Sequence, residues 1–304
     1  MTCKKTSGRY VTIGIVETVL MDIGRQLDQG IFPRVKNGGI VMPSGFAVPS
    51  ILGEESNDED QRRSTTRPRQ GSVGGEGPSG GSWQARQTTS FVGAKRQTAY
   101  DNELDAVNRA YPGTKVWKQE GGLWLLTESS LLPGLRRAAI FLTGISYEQM
   151  TVRSWGFWNY SIIGAAWIGP RHTNFPDGSI CAFHPADRTW LFGDSIVELL
   201  DIYTVWALRH LHLEVFGRWP GPQAVSYAYE RILEIREDEQ CGCGRSSVRY
   251  RDCCRDMDLN KNRMAEAVKF FVNCAGGLRE PPGAIVRSVR DRTEQADLAA
   301  SLLA

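Results

Sequence analysis

The chain has 304 residues, with 36 basic against 34 acidic side chains, a net charge of +2, 41% hydrophobic residues and nine tryptophans. That length allows one large or two small domains with a sizeable core. The near balance of charge argues against nucleic acid or an anionic membrane as the main partner, and no apolar run approaches the roughly 20 residues that span a bilayer.

Residues 9–28 carry Ile13, Val16, Leu20, Ile23 and Leu27 at helical spacing, with Val11, Ile15 and Val19 widening the face, so a helix is predicted. Glu17 interrupts this apolar run and no small-residue cleavage site follows, so the segment reads as the start of a cytosolic domain and not as a secretion signal. Residues 32–52 contain a Gly pair and, in MPSGFAVP, two prolines, and read as extended segments and turns. Residues 1–52 thus form an N-terminal helical and extended segment. Residues 53–98 are rich in Gly, Ser, Thr, Gln, Arg and acidic side chains and nearly lack aliphatics. Such a stretch buries too little apolar surface to offset chain entropy, and a disordered linker is predicted.

The pattern changes at Tyr100. Asp101 can cap a short helix containing Leu104, Val107 and Ala110, which Pro112-Gly113 stops. Strand-like runs follow at 115–118, 122–127, 138–145, 150–158 and 160–168, separated by Gly-Gly, Pro-Gly and Gly turns. A Pro/Gly/Asn/Asp-rich loop, 169–179, then leads to Ile180-Cys181-Ala182, and a second loop ends at Trp190. Asp194 or Ser195 caps the next helix, and Ser195 with Glu198 has capping-box spacing. Ile196, Leu199, Leu200, Tyr203 and Trp206 recur there at helical intervals. A further helix is predicted over 224–236. The pattern alone implies an α+β chain.

The stretch CGCGRSSVRYRDCC, 241–254, sets Cys241, Cys243, Cys253 and Cys254 in two close pairs. Seven cysteines, an odd number, with a tight cluster and no export signal, point to reduced thiols and a metal site in place of a disulfide framework. Zinc takes four tetrahedral thiolate or imidazole ligands, which two pairs on a Gly-rich knuckle supply. Arg245, Arg249 and Arg251 would favour the thiolates. A last helix is predicted over 261–274, and residues 279–304 read as a polar, flexible tail.

His172-Thr173-Asn174, Gly178-Ser179-Ile180-Cys181, Trp190 and the apolar helix after Ser195, in that order, resemble the active-site segment of ubiquitin-conjugating (E2) enzymes. There H-P-N precedes G-x-I-C, a tryptophan and a long helix. Thr173 in place of proline and slightly different loop lengths are the departures. The wording DGSICAFHP…W…GDS…LLDIY…W.LRHLHL further resembles bacterial E2-like proteins found near antiviral and ubiquitin-like operons. The 241–254 array resembles the SEC-C zinc motif, with a slightly longer spacer.

The resemblance implies an E2 (UBC)-like fold over 99–236, a short antiparallel sheet flanked by helices, with a small zinc module at 237–278. It implies that Cys181 takes a ubiquitin-like or other glycine-ended protein from an E1-like adenylating partner and passes it to an amine of a protein target. Cysteine suits this because its thioester stays reactive towards amines. Asn174 matches the asparagine given an oxyanion or structural role. His172 would shape the loop, Asp187 or His184 would assist the incoming lysine, and Trp190 would anchor the core. The zinc module, beyond the Pro220–Pro222 turn, would serve docking, because a closed four-thiolate site has no open coordination position. Two other readings stay open: a catalytically silent adaptor docking through its zinc module, and a cysteine hydrolase pairing Cys181 with His172 or His184.

Overall fold

A computed structural model describes residues 7–36, 38–41, 103–119, 121–130, 132, 138–160, 164–183, 187–245, 248–274 and 279–293. The linker predicted over 53–98 lies outside the described residues.

Helix α1, Ser7–Asp28, leads into a small antiparallel hairpin of β1, Arg34–Lys36, and β2, Gly39–Val41. A short helix α2, 103–110, precedes five strands: β3 Lys115–Gln119, β4 Gly122–Glu128, β5 Ala139–Ser146, β6 Thr151–Tyr160 and β7 Gly164–Trp167. They form one antiparallel meander in the order β3-β4-β5-β6-β7. The chain is therefore α+β, with a five-stranded antiparallel sheet, a small second sheet and helices around them.

Strand side chains alternate between faces, and here both faces are covered. Leu123, Leu125, Phe141 and Ile145 point to the main core. That core is closed by α3, Ile196–Phe216, through Leu199, Leu200, Tyr203 and Trp206, and by α1 through Val19, Leu20, Ile23 and Leu27. Residues 1–52 thus include a core helix. Gly156 of β6 lets α3 approach closely, since a Cβ there would lie 2.6 Å from the Trp206 ring. Ser195 caps α3 by accepting the Val197 N–H at 3.2 Å, while the Ile196 N–H donates to Glu103 of α2 at 2.7 Å. The cap is thus shared with a side chain far away in sequence.

The opposite face carries Trp124, Leu126, Ile140, Leu142, Trp155 and Phe157. It is covered by α7, Gly283–Asp291, through Ile285 and Val289. Residues 279–293 therefore differ from the flexible tail expected there. Ile285 and Val289, one turn apart, and the partly buried Val286 carry the packing, and the polar composition of the stretch masks them.

Helices α4 Ala228–Glu234, α5 Arg255–Leu259 and α6 Arg263–Asn273 form a further group, in which α4 contacts both α5 and α6. Val225, Ile235, Cys241, Tyr250 and Cys254 share a small core. Arg231 of α4 binds Asp258 of α5 through two hydrogen bonds of 2.8 and 2.7 Å, both residues buried. Helix α4 thus packs with the cysteine module, so residue 236 is no boundary between packing units. Among the described residues no helix is long and apolar enough to cross a membrane.

Candidate functional site

The chain leaves β7 and folds back on itself between residues 172 and 181. Thr173 and Ile180 form an antiparallel bridge. The Cys181 N–H donates to the His172 carbonyl at 3.0 Å, and the Asn174 N–H to the Ser179 carbonyl at 2.7 Å. The Asn174 side-chain amide donates to the Ile180 carbonyl at 3.0 Å and to Ser179 Oγ at 3.2 Å. The His172 carbonyl also accepts the indole N–H of Trp206 at 3.0 Å, which seats the turn on α3. Gly178 adopts φ +64°, and a Cβ there would come within 2.9 Å of both Glu280 and Trp167. Backbone conformation and close approach both call for the glycine of G-S-I-C.

Cys181 is half-buried in the wall of a groove of about 960 Å³. Asn174, Asp187, Glu230, Cys274 and Arg279 line the same groove. Burial pushes the Cys181 thiol pKa up, the Glu230 carboxylate adds to this and Arg279 opposes it. Asp187 is exposed on the groove rim. His184 lies outside the described residues. Trp190 is buried, with its indole N–H on the Ser195 carbonyl at 2.9 Å.

The His172 ring packs against Trp219 and Gln223, which line the same groove. The ring lies 4.0 Å from that of Trp219, centroid to centroid, and Nε2 is 3.1 Å from Gln223 Oε1. The Gln223 amide nitrogen donates to the Gln240 carbonyl at 2.7 Å, so Oε1 is an acceptor and His172 Nε2 carries the proton. Burial first, then the charges of Arg171 and Arg209, hold the His172 pKa well below its ordinary value. The ring is neutral at physiological pH.

The turn is clamped by residues with no sequence signal. Arg279 donates to the Pro170 carbonyl at 3.0 Å and to Glu234 at 2.8 Å, pairs with Glu230, and lies 4.1 Å above the Phe175 ring. Phe175 meets Phe270 of α6 edge to face at 5.2 Å. Glu239 is fully buried and accepts from Arg171, from the Trp219 N–H at 2.7 Å and from Gln223 at 3.3 Å. Gly244, Asn273 and Cys274 of the 237–278 module line the Cys181 groove.

In that module the sulfurs of Cys241, Cys243, Cys253 and Cys254 all lie within 4.8 Å of one another. Cys243–Cys253 and Cys253–Cys254 are 3.6 and 3.7 Å apart. A tetrahedron with metal–sulfur bonds of about 2.3 Å has edges of about 3.8 Å, so the four residues can hold a metal ion and are compatible with zinc. A Cβ on Gly242 would sit 2.8 Å from both Val225 and Ile235, which explains the glycine inside the first pair. At Cys243, burial is outweighed by the Arg245 N–H and the neighbouring sulfurs, which bring its pKa down to about 7.

No protein-family model, curated protein or solved structure matches the chain.

Proposed function

We propose that the chain is an E2-like thioester-transfer enzyme acting in bacterial antiviral defence, in the cytoplasm. The observation that supports this most is the setting of Cys181. It follows a turn tied by the Asn174 side chain, sits on the long helix α3 and opens into a groove. The Cys181 thiolate attacks the thioester carbonyl that an E1-like partner carries, and the E1 thiol leaves. An amine of the target then attacks the Cys181 thioester. The C–N bond forms, the C–S bond breaks and the Cys181 thiolate is released. Holding the carbonyl and amine together in a fixed geometry supplies much of the rate. Asp187, which lines the same groove, would take the proton that the attacking amine gives up. A Cys181–His172 hydrolase is disfavoured, because that imidazole is engaged by Trp219 and Gln223.

Incubation with an E1-like enzyme, ATP and a glycine-ended modifier should give a reductant-sensitive adduct that Cys181→Ala lacks. An adduct retained by the alanine variant would falsify the assignment.

The metal is zinc in a structural role, held by Cys241, Cys243, Cys253 and Cys254. Metal analysis of protein purified without added zinc should give about one equivalent per chain, as four ligands to one ion require. A folded, metal-free protein whose four thiols all titrate freely would overturn this.

A further inference from the structure

We propose that metal occupancy of the 241–254 knuckle sets the conformation of the Cys181 turn through Glu239, which makes Glu239 a positioning residue. The inference rests on reading the four cysteines as a metal site and Cys181 as the reactive thiol.

The path is continuous and mostly buried. Glu239 and Gln240 lead directly into the first thiol pair. The Glu239 carbonyl accepts the Tyr250 N–H at 2.8 Å, Gln240 bridges Arg249, and the Cys241 N–H binds the Val248 carbonyl at 2.8 Å. A metal bound to both pairs fixes this small ladder. From it the Glu239 carboxylate reaches out to Arg171, and the Gln240 carbonyl to Gln223. Arg171 immediately precedes His172, and its Nη2 shares Gln223 Oε1, at 2.8 Å, with the His172 ring. The His172 carbonyl in turn holds the Cys181 N–H. Arg171, Gln223 and Glu239 are all buried. In such surroundings a hydrogen bond is strong and an unpaired charge is costly. Displacing Glu239 therefore forces Arg171 to move, and His172 moves with it.

Without metal the knuckle loses the bonds that hold its segment. The turn should then open and expose the Cys181 thiol. The test uses the full chain, purified with its metal or treated with a chelator, and iodoacetamide as probe. Peptide-resolved mass spectrometry reads Cys181 separately from the knuckle thiols. Metal removal should speed Cys181 alkylation about tenfold, a coupling of ordinary size between linked sites, while circular dichroism shows the helices and sheet intact. In the double variant Arg171→Gln/Glu239→Gln, which leaves no unpaired charge, the two rates should coincide. Arg171→Met/Glu239→Leu, which replaces the ion pair with apolar side chains of similar length, should likewise bring the ratio towards one; it serves if the first double variant does not fold. An unchanged Cys181 rate after metal removal overturns the proposal. So does a metal dependence that survives in folded variants, or unfolding of the whole chain on chelation. No E1 or modifier enters the assay, so it can succeed even if Cys181 never carries a thioester.

Discussion

Replacing Asn174 with alanine is expected to leave loading of Cys181 nearly intact and to slow its discharge to an amine by about 10²–10³-fold, the usual loss for one oxyanion donor. The reason is where the side-chain amide sits. Its nitrogen donates to the Ile180 carbonyl at 3.0 Å, one residue before Cys181, so under the proposed thioester chemistry a donor is already fixed next to the thiol that would carry the acyl group. The oxyanion forms when the amine adds to the thioester, and the amide need shift only from one carbonyl-like oxygen to another. Single-turnover discharge of pre-charged protein, compared with the loading rate under the same E1, separates the two steps. Equal loss in both by a folded variant would assign Asn174 to shaping the turn alone, because the same amide also ties residues 174–180 together.

The second large effect concerns Asp258. Asp258→Asn should destabilise the cysteine module by about 3–5 kcal/mol, the cost of leaving one member of a buried ion pair uncompensated. Asp258 is fully buried, its two oxygens receive Arg231 Nε and Nη2, and the Tyr250 hydroxyl donates to it at 3.2 Å. Burial alone would raise the Asp258 pKa, but the bonds from Arg231 outweigh it and hold the carboxyl below its ordinary value. A depressed folded pKa means stability that is fully present above the unfolded value, about 3.9, and lost as pH falls through the folded one. Urea unfolding followed by circular dichroism should therefore show an earlier midpoint for Asp258→Asn at pH 7. The difference from the parent protein should shrink below pH 4. A variant with an unchanged midpoint would mean that the pair holds nothing together.

Much of the local architecture was legible because it rests on periodic or short-range signals. The five strands fall within a few residues of their predicted runs, since Gly-rich turns punctuate stretches rich in aromatic and aliphatic side chains. Helix α3 is announced by Ser195 and an unbroken apolar face. The thiol cluster follows from spacing within a short segment. What stayed hidden depends on partners distant in sequence. Glu103 completing the α3 cap, Glu239 gripping Arg171 and Arg279 bridging Pro170 to α4 leave no mark on the residues around them. Each is one charged side chain among many, and only the fold shows which ones are buried. Helix α7 went unrecognised for a related reason: three aliphatic residues are enough when a large aromatic sheet face awaits them, but too few to show in composition. The same long-range contacts make the cysteine module part of the groove although the chain order sets it apart.

The crossing of Glu280 over Gly178 has a consequence for the order of events during synthesis. Chains fold largely from the N-terminus as they emerge, so the meander and α3 can assemble early, with Cys181 already in place. Arg279 and the segment behind it arrive long afterwards, and until then neither the Pro170 carbonyl nor the Phe175 ring has its cover. A nascent or prematurely ended chain would carry the thiol in an unfinished setting. Completion of the groove is thereby tied to translation of the segment around Arg279.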